Sequence, residues 1–207
     1  MSEQEVEVKF YIQKLPLFEQ HIRSIGAELV SARVHEINRR YDSPDGMLTR
    51  AHRVLRLRMD QRAMLTYKGP AEPGHPVSVR QEIEIEVSSF SAAEHLLEAL
   101  GYQLVIMYEK YRTTYQLDDV RITLDEMPYG NFSELEGPNA ESIQAVAEKV
   151  GLDWDARLVD SYLSMFTRLR ADKKMSVRHL SFDEFKGVII TADDLGVRPA
   201  EFHGSPQ

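Results

Sequence analysis

The chain contains no cysteine and one tryptophan in 207 residues. Without thiols, disulfides and thiolate metal centres are excluded, and a reducing, cytoplasmic setting is the expectation. It has no run of eighteen apolar residues, so no membrane-spanning helix is expected. Positive charge is in deficit, with 25 Lys and Arg against 33 Asp and Glu and a formal charge of −8. That balance argues against a broad nucleic-acid-binding surface, though a local cluster of Arg and Lys can still oppose it. The patterns GxxxxGK[ST], GxGxxG, HExxH and GxSxG are missing, which leaves P-loop, dinucleotide, zincin and hydrolase-elbow mechanisms without support. The seven histidines are scattered without ligand spacing. No Pro/Gly/Ser-rich linker divides the chain, and the acidic, strand-like start MSEQEVEVKF does not read as a signal peptide.

What is present is an alternation of charge and aliphatic residues. Glu5-Val6-Glu7-Val8-Lys9, Glu82-Ile83-Glu84-Ile85-Glu86 and Glu134-Leu135-Glu136 each precede a helical pattern that ends in Gly26, Gly101 and Gly151 respectively. On a strand, alternate residues face opposite ways, so each segment carries carboxylates on one face and aliphatics on the other. Further strands are expected over 34–42, 53–60, 63–68, 104–116 and 120–126. Turns are marked by Ser43-Pro44-Asp45-Gly46, Asp118-Asp119 and Tyr129-Gly130-Asn131. Helices are expected over 15–25, from a Ser91/Glu94 capping box toward Leu100, from the Asn139 cap to Val150, and over 160–170. Residues 171–207 form an extension, with a short helix expected over 181–186 and a loose end. The order EVEVKF…GAELV parallels EIEIEV…GYQLV, as two similar halves closing on each other would.

If helices cover the aliphatic faces, the opposite face collects Glu5, Glu7, Lys9, Arg56, Arg58, Lys68, Arg80, Glu82, Glu84, Glu86, Lys110, Arg112, Arg121, Asp125, Glu134 and Glu136. A solvated sheet face is one reading. The other is a barrel, which eight strands are enough to close. Buried charges must be paired, hydrated or metal-bound, so such a barrel would be wide and wet. Its natural content is a polyanion on the Arg/Lys side, with divalent cations on the carboxylate side.

The ordered motifs resemble the CYTH superfamily of triphosphate tunnel metalloenzymes. Glu5-x-Glu7-x-Lys9 is similar to its ExExK signature, Leu55-Arg56-Leu57-Arg58 to its LRxR strand, and Leu65-Thr66-Tyr67-Lys68-Gly69-Pro70 to LTxKGP. Arg80-Gln81-Glu82-Ile83-Glu84 is similar to RxExE, and Glu109-Lys110-Tyr111-Arg112 to EKxR. The run from Leu124-Asp125-Glu126 to Gly130-Asn131-Phe132-Ser133-Glu134-Leu135-Glu136-Gly137 and the segment Ser161-Tyr162-Leu163 follow in order. The resemblance covers about residues 3–170 and makes 1–170 the tunnel domain. It implies an α+β fold, an eight-stranded antiparallel barrel with helices outside, and two Mg²⁺ or Mn²⁺ ions. It assigns metal to Glu5, Glu7, Asp125 and Glu134 or Glu136, with a further ligand from Glu82 or Glu84. It assigns triphosphate to Lys9, Arg56, Arg58, Lys68, Lys110 and Arg112, with Lys9, Glu7 and Asp125 nearest the chemistry. Lys9 is expected to contact phosphate, or to move a proton if neighbouring cations lower its pKa. The implied activity is hydrolysis of tripolyphosphate, thiamine triphosphate or a nucleotide, or cyclisation of ATP to cyclic AMP and pyrophosphate. A non-catalytic polyphosphate binder ranks below both. Neither nucleic acid nor membrane is an expected partner, and a homodimer is left open.

Overall fold

The computed structural model describes residues 3–201. Eight strands run along the chain: β1 (Glu3–Tyr11), β2 (Glu28–Asp42), β3 (Val54–Met59), β4 (Ala63–Lys68), β5 (Ser78–Val87), β6 (Gln103–Leu117), β7 (Val120–Met127) and β8 (Gly130–Glu136). They close into one antiparallel barrel in the order β1-β5-β4-β3-β2-β6-β7-β8. The helices are α1 (Leu15–Ser24), α2 (Met47–Arg50), α3 (Phe90–Ala99), α4 (Ala140–Lys149), α5 (Tyr162–Asp172) and α6 (Ala192–Leu195). No helix among the described residues is long and apolar enough to cross a membrane.

Alternation drives the assembly. On β1, Val6, Val8 and Phe10 point outward and are buried beneath Phe18 and Ile22 of α1 and Ile143 and Val146 of α4, together with Ile122 and Leu135. Each such fully buried side chain contributes about 1.5–3 kcal/mol. A smaller cluster seats Ala93 and Leu97 of α3 on Tyr41 and Leu57. The turn into β8 needs glycine: Gly130 has φ +151°, and a Cβ there would lie 2.9 Å from the Tyr11 ring.

A third cluster fills one end of the barrel. Tyr11, Met127 and Phe132 from the strands meet Tyr162, Leu163 and Phe166 of α5, and Leu180, Phe185 and Leu195 from further along the chain. The stagger of the strands leaves backbone uncovered at this end. β7 pairs with β6 only from Tyr111 onward, and β5 pairs with β1 only as far as Glu7. Later segments supply the missing partners. Leu158 exchanges hydrogen bonds with Lys9 at 2.7 and 3.0 Å, Ala200 N donates to Tyr11 O at 3.0 Å, and Leu180 bonds both Met107 O and Glu109 N at 3.0 Å.

Several expectations are corrected. The tail is packed as far as Glu201 rather than loose, because these bridges and the apolar plug hold it; residues 202–207 lie outside the described residues. Residues 181–186 form turns, not a helix. β2 begins at Glu28, six residues before the expected start, with register shifts between Leu29 and Val34 that break its alternation. Ile83 and Ile85 face outward as expected, yet they are 45% and 53% exposed because α3 sits on β3 and β4 instead. The N-cap of α3 is Ser89, whose side chain accepts from Ala92 N, so the Ser91/Glu94 box does not form. Glu94 instead accepts from Tyr41 Oη at 2.9 Å. Ser89→Ala should therefore lower stability by about 1 kcal/mol, while Ser91→Ala should stay within about 0.5 kcal/mol of the parent in urea unfolding. The reverse ranking would restore the box.

Candidate active site: the charged bore

The inward faces of the strands line a cavity of about 670 Å³. β1 contributes Glu5, Glu7 and Lys9; β3, Arg56 and Arg58; β4, Lys68; β5, Arg80, Glu82 and Glu84; β6, Lys110 and Arg112; β8, Glu134 and Glu136. Exposure falls along the bore. Arg121 and Glu136 at one end are 54% and 44% exposed, whereas the Lys110 and Asp125 side chains are 4% and 0% exposed. The bore thus opens at the Arg121 end and is shut by the aromatic plug at the other.

The charges form a continuous lattice. Glu5 takes Lys68 Nζ at 2.5 Å and Arg80 Nε at 2.9 Å, while Glu7 takes Lys9 Nζ at 2.8 Å and Arg80 Nη2 at 3.0 Å. Glu84 takes Thr66 Oγ1 at 2.6 Å and lies 3.4–3.5 Å from Arg58 and Arg56. Lys9 also reaches Glu134 at 3.3 Å. Deepest is Asp125: Lys110 Nζ approaches at 3.0 Å, Arg112 at 2.5 and 2.6 Å, and Tyr162 Oη at 2.9 Å. Arg112 reaches on to Glu134. Glu36 Oε2, Arg56 Nε and Arg58 Nε are buried without a protein hydrogen-bond partner. Buried polar atoms of this kind call for water or ligand, which suits a hydrated bore.

Burial opposes ionisation throughout, and partners decide the outcome. The Lys9 ammonium is desolvated, yet Glu7 and Glu134 raise its pKa above the usual lysine range. Held between these two carboxylates, at 2.8 Å from Glu7 and 3.3 Å from Glu134, Lys9 stands as a cation. Glu5 is buried, but Lys68, a Glu82 hydrogen bond and Arg80 hold it down at about 2. Glu82 is pushed up to about 7, first by burial and then, against the pull of Lys68, by hydrogen bonding and repulsion from Glu5. Glu36 is drawn down to about 2 despite burial, by Lys110, Arg112, Arg58 and Arg56.

This arrangement places the chain in a known group. A model of the CYTH domain matches residues 3–178. The chain belongs to the CYTH domain family. A Methanocaldococcus jannaschii protein provisionally named an adenylate cyclase is 24% identical over 186 residues, 89% of this chain and 99% of the relative. A Vibrio parahaemolyticus structure with the same provisional name has TM-score 0.72 at 23% identity, covering 81% of this chain and 99% of that one. The PH1819 structure from Pyrococcus horikoshii has TM-score 0.66 at 27% identity, covering 79% and 98%. A Hippeastrum protein, provisionally an adenylyl cyclase and described as having a dominant triphosphatase activity, has TM-score 0.60 at 16% identity, covering 79% and 95%.

Within this CYTH bore, most residues singled out in the sequence are brought together, with three differences in position. The Glu86 side chain is 56% exposed, pairs with Arg62 and does not line the bore. Glu136 stands at the exposed rim beside Arg121, and Asp125 lies among cations, apart from Glu5 and Glu82. Tyr108 lines the bore on the face it shares with Lys110 and Arg112, as the 104–116 strand pattern predicts, while Glu36 and Arg40 also line it and were not anticipated. Glu36 and Arg40 share a β2 face four residues apart, but His35 and Arg39 place polar side chains on the opposite face and hide the signal. Among the described residues no three acidic or imidazole groups are gathered as a ready-made cation cage. The donor chemistry nonetheless fits a divalent ion. Glu5 Oε1 and Glu82 Oε2 converge on Lys68 Nζ at 2.5 and 3.0 Å, and a hard cation with oxygen ligands can take the place of that ammonium.

A pH effect follows for metal-free protein. The folded-state pKa of Glu82 lies above its unfolded value of 4.5, so its contribution to stability is fully present below 4.5 and lost as pH rises through about 7. Glu82→Gln should raise Tm relative to the parent at pH 8 and change it little at pH 5, both measured in EDTA. An equal shift at both pH values would mean that Glu82 is ionised throughout.

Proposed function

We propose that this CYTH chain is a divalent-metal-dependent phosphohydrolase working in the cytoplasm on a linear triphosphate. The observation that supports this reading is the enclosed bore, in which Arg56, Arg58, Lys68, Lys110, Arg112 and Lys9 meet the carboxylates of β1, β5 and β8. Guanidinium forks suit bidentate contacts to phosphate oxygens, and displacing their present carboxylate partners leaves those carboxylates free for cations. Because the plug shuts the deep end, the phosphate chain enters first and any organic group stays toward the mouth. Lys9, kept cationic by Glu7 and Glu134, stabilises charge that develops during phosphoryl transfer.

Glu5, Glu7, Glu82, Glu84, Glu134 and Glu136 supply the oxygen donors for the two proposed Mg²⁺ or Mn²⁺ ions. When bound, these would neutralise phosphate charge and lower the pKa of the attacking water. The Asp125 oxygens are occupied by Lys110, Arg112 and Tyr162, so its proposed part is to hold those cations against the substrate.

A second reading, adenylate cyclase, draws on the M. jannaschii relative of that provisional name, which is matched along 99% of its length. There the ribose 3′-hydroxyl of ATP replaces water as the nucleophile. Product analysis separates the two. With tripolyphosphate, ATP or thiamine triphosphate and Mg²⁺ or Mn²⁺, orthophosphate release is expected. Cyclic AMP with pyrophosphate would select the cyclase instead. Saturating ligand should also raise Tm, since a hundredfold excess over Kd is worth about 2.7 kcal/mol. A Tm shift with no product would reduce the reading to a binding protein, and the absence of both shift and product would overturn the proposal.

A further inference from the structure

Tyr162 stands where the apolar plug meets the charged bore. It is the first residue of α5, outside the barrel, yet it lines the cavity. Ser161 caps the helix through Ser164 N, and Tyr129 Oη donates to the Tyr162 carbonyl at 2.9 Å, which fixes the backbone. The ring is held edge-on to Phe132, with centroids 5.1 Å apart. The side chain so constrained donates its hydroxyl to Asp125 Oδ2 at 2.9 Å. The same oxygen takes Lys110 Nζ at 3.0 Å and Arg112 Nη2 at 2.5 Å, and Oδ1 takes Arg112 Nε at 2.6 Å. Lys9 and Lys110 each place their ammonium 5.6 Å from the Tyr162 ring centroid, within reach of its π-face. Beyond Lys110, Glu36 lies 3.6 Å away on the opposite side.

We propose that Tyr162 is a positioning residue for the bore's cations: its hydroxyl fixes the Asp125 carboxylate, and Asp125 in turn sets where Lys110 and Arg112 stand. The proposal rests on the reading that these cations meet substrate phosphate. A phenol suits the task because it fills a remaining lone pair of Asp125 without placing another positive charge behind Lys110 and Arg112. Burial first, then Asp125 and Glu134, hold the phenol well above its ordinary range, so it remains a donor. α5 and the segments packed on it thereby take part in binding although they contribute no strand to the barrel. An orientation error of one ångström at a cation is enough to weaken a bidentate phosphate contact.

Tyr162→Phe tests this, because it keeps the ring and its packing and removes one oxygen. Two readouts are needed. In ligand-free, ¹⁵N-labelled protein, the Arg112 Nε–H resonance, assigned with Arg112→Lys, should shift and exchange faster with water in the variant. By calorimetry, tripolyphosphate should bind about tenfold more weakly to Tyr162→Phe. The loss in a Tyr162→Phe/Asp125→Asn double variant should be smaller than the sum of the single losses, the mark of groups acting through one another. The Tm of Tyr162→Phe should stay within a few degrees of the parent. An unchanged Arg112 signal overturns the proposal, as does native tripolyphosphate affinity in a variant whose parent binds, or strictly additive losses. If the parent binds no tripolyphosphate, the proposed function fails on its own account, and the Arg112 resonance alone then decides whether Tyr162 holds Asp125.

Discussion

Asp125→Ala is expected to lower stability by about 3–5 kcal/mol, the range for breaking a buried ion pair from one side. In a chain of this size that is a fall in Tm on the order of 10 °C. Asp125 is 0% exposed, and its carboxylate is shared by Lys110 Nζ, two nitrogens of Arg112 and the Tyr162 hydroxyl. Removing it leaves two cations buried against each other. Glu36 and Glu134 offset part of the loss, since they lie against Lys110 and Arg112 respectively. Asp125→Asn should cost less, because the amide oxygen still accepts a bond. Thermal unfolding of both variants at low and high salt checks this; a Tm within two degrees of the parent for Asp125→Ala would show that the cluster is not formed in solution.

Glu7→Gln should have the opposite profile, with stability nearly kept and turnover lost. The side chain is nearly buried, bonded to Lys9 and Arg80, and an amide of the same shape can accept from both. What disappears is the negative charge. With it go the proposed cation ligand and one of the two carboxylates that keep Lys9 charged. A group that acts on transition-state charge is worth on the order of 10²–10³ in kcat, and a loss of at least that size in tripolyphosphate hydrolysis is expected. Circular dichroism and Tm should match the parent. Retained activity at saturating Mn²⁺ would remove Glu7 from the catalytic machinery.

Much of the fold was legible because the strands alternate cleanly. β1, β5 and β8 keep strict Glu-x-Glu spacing, so their facing follows from the residues alone. β2 was obscured by its bulges and by charged residues on both faces, which is why Glu36 and Arg40 were missed. Ile83 and Ile85 show a different limit: period two fixes which way they point but says nothing about whether a helix lands on them. The cap of α3 went wrong because Ser89 and Ser91 are both chemically suited, and only the backbone path selects between them. The tail escaped notice since Leu180, Phe185, Leu195 and Ala200 pack as separate anchors with no common period. Within the site, residue types and order announced the charges. Their pairing was not readable, because it depends on which strands lie across the bore from one another.

The way the barrel closes has a consequence for how the chain is made. Tyr11, near the start, pairs with Phe132 and takes a hydrogen bond from Ala200. During ribosomal synthesis the first strand therefore emerges long before one flank has a partner, and it stays a bare edge until β8 has been made. Its final bond is supplied only once Ala200 has been made. Closure by such sequence-distant pairing favours slow maturation and a partly zippered intermediate that needs shielding from its neighbours.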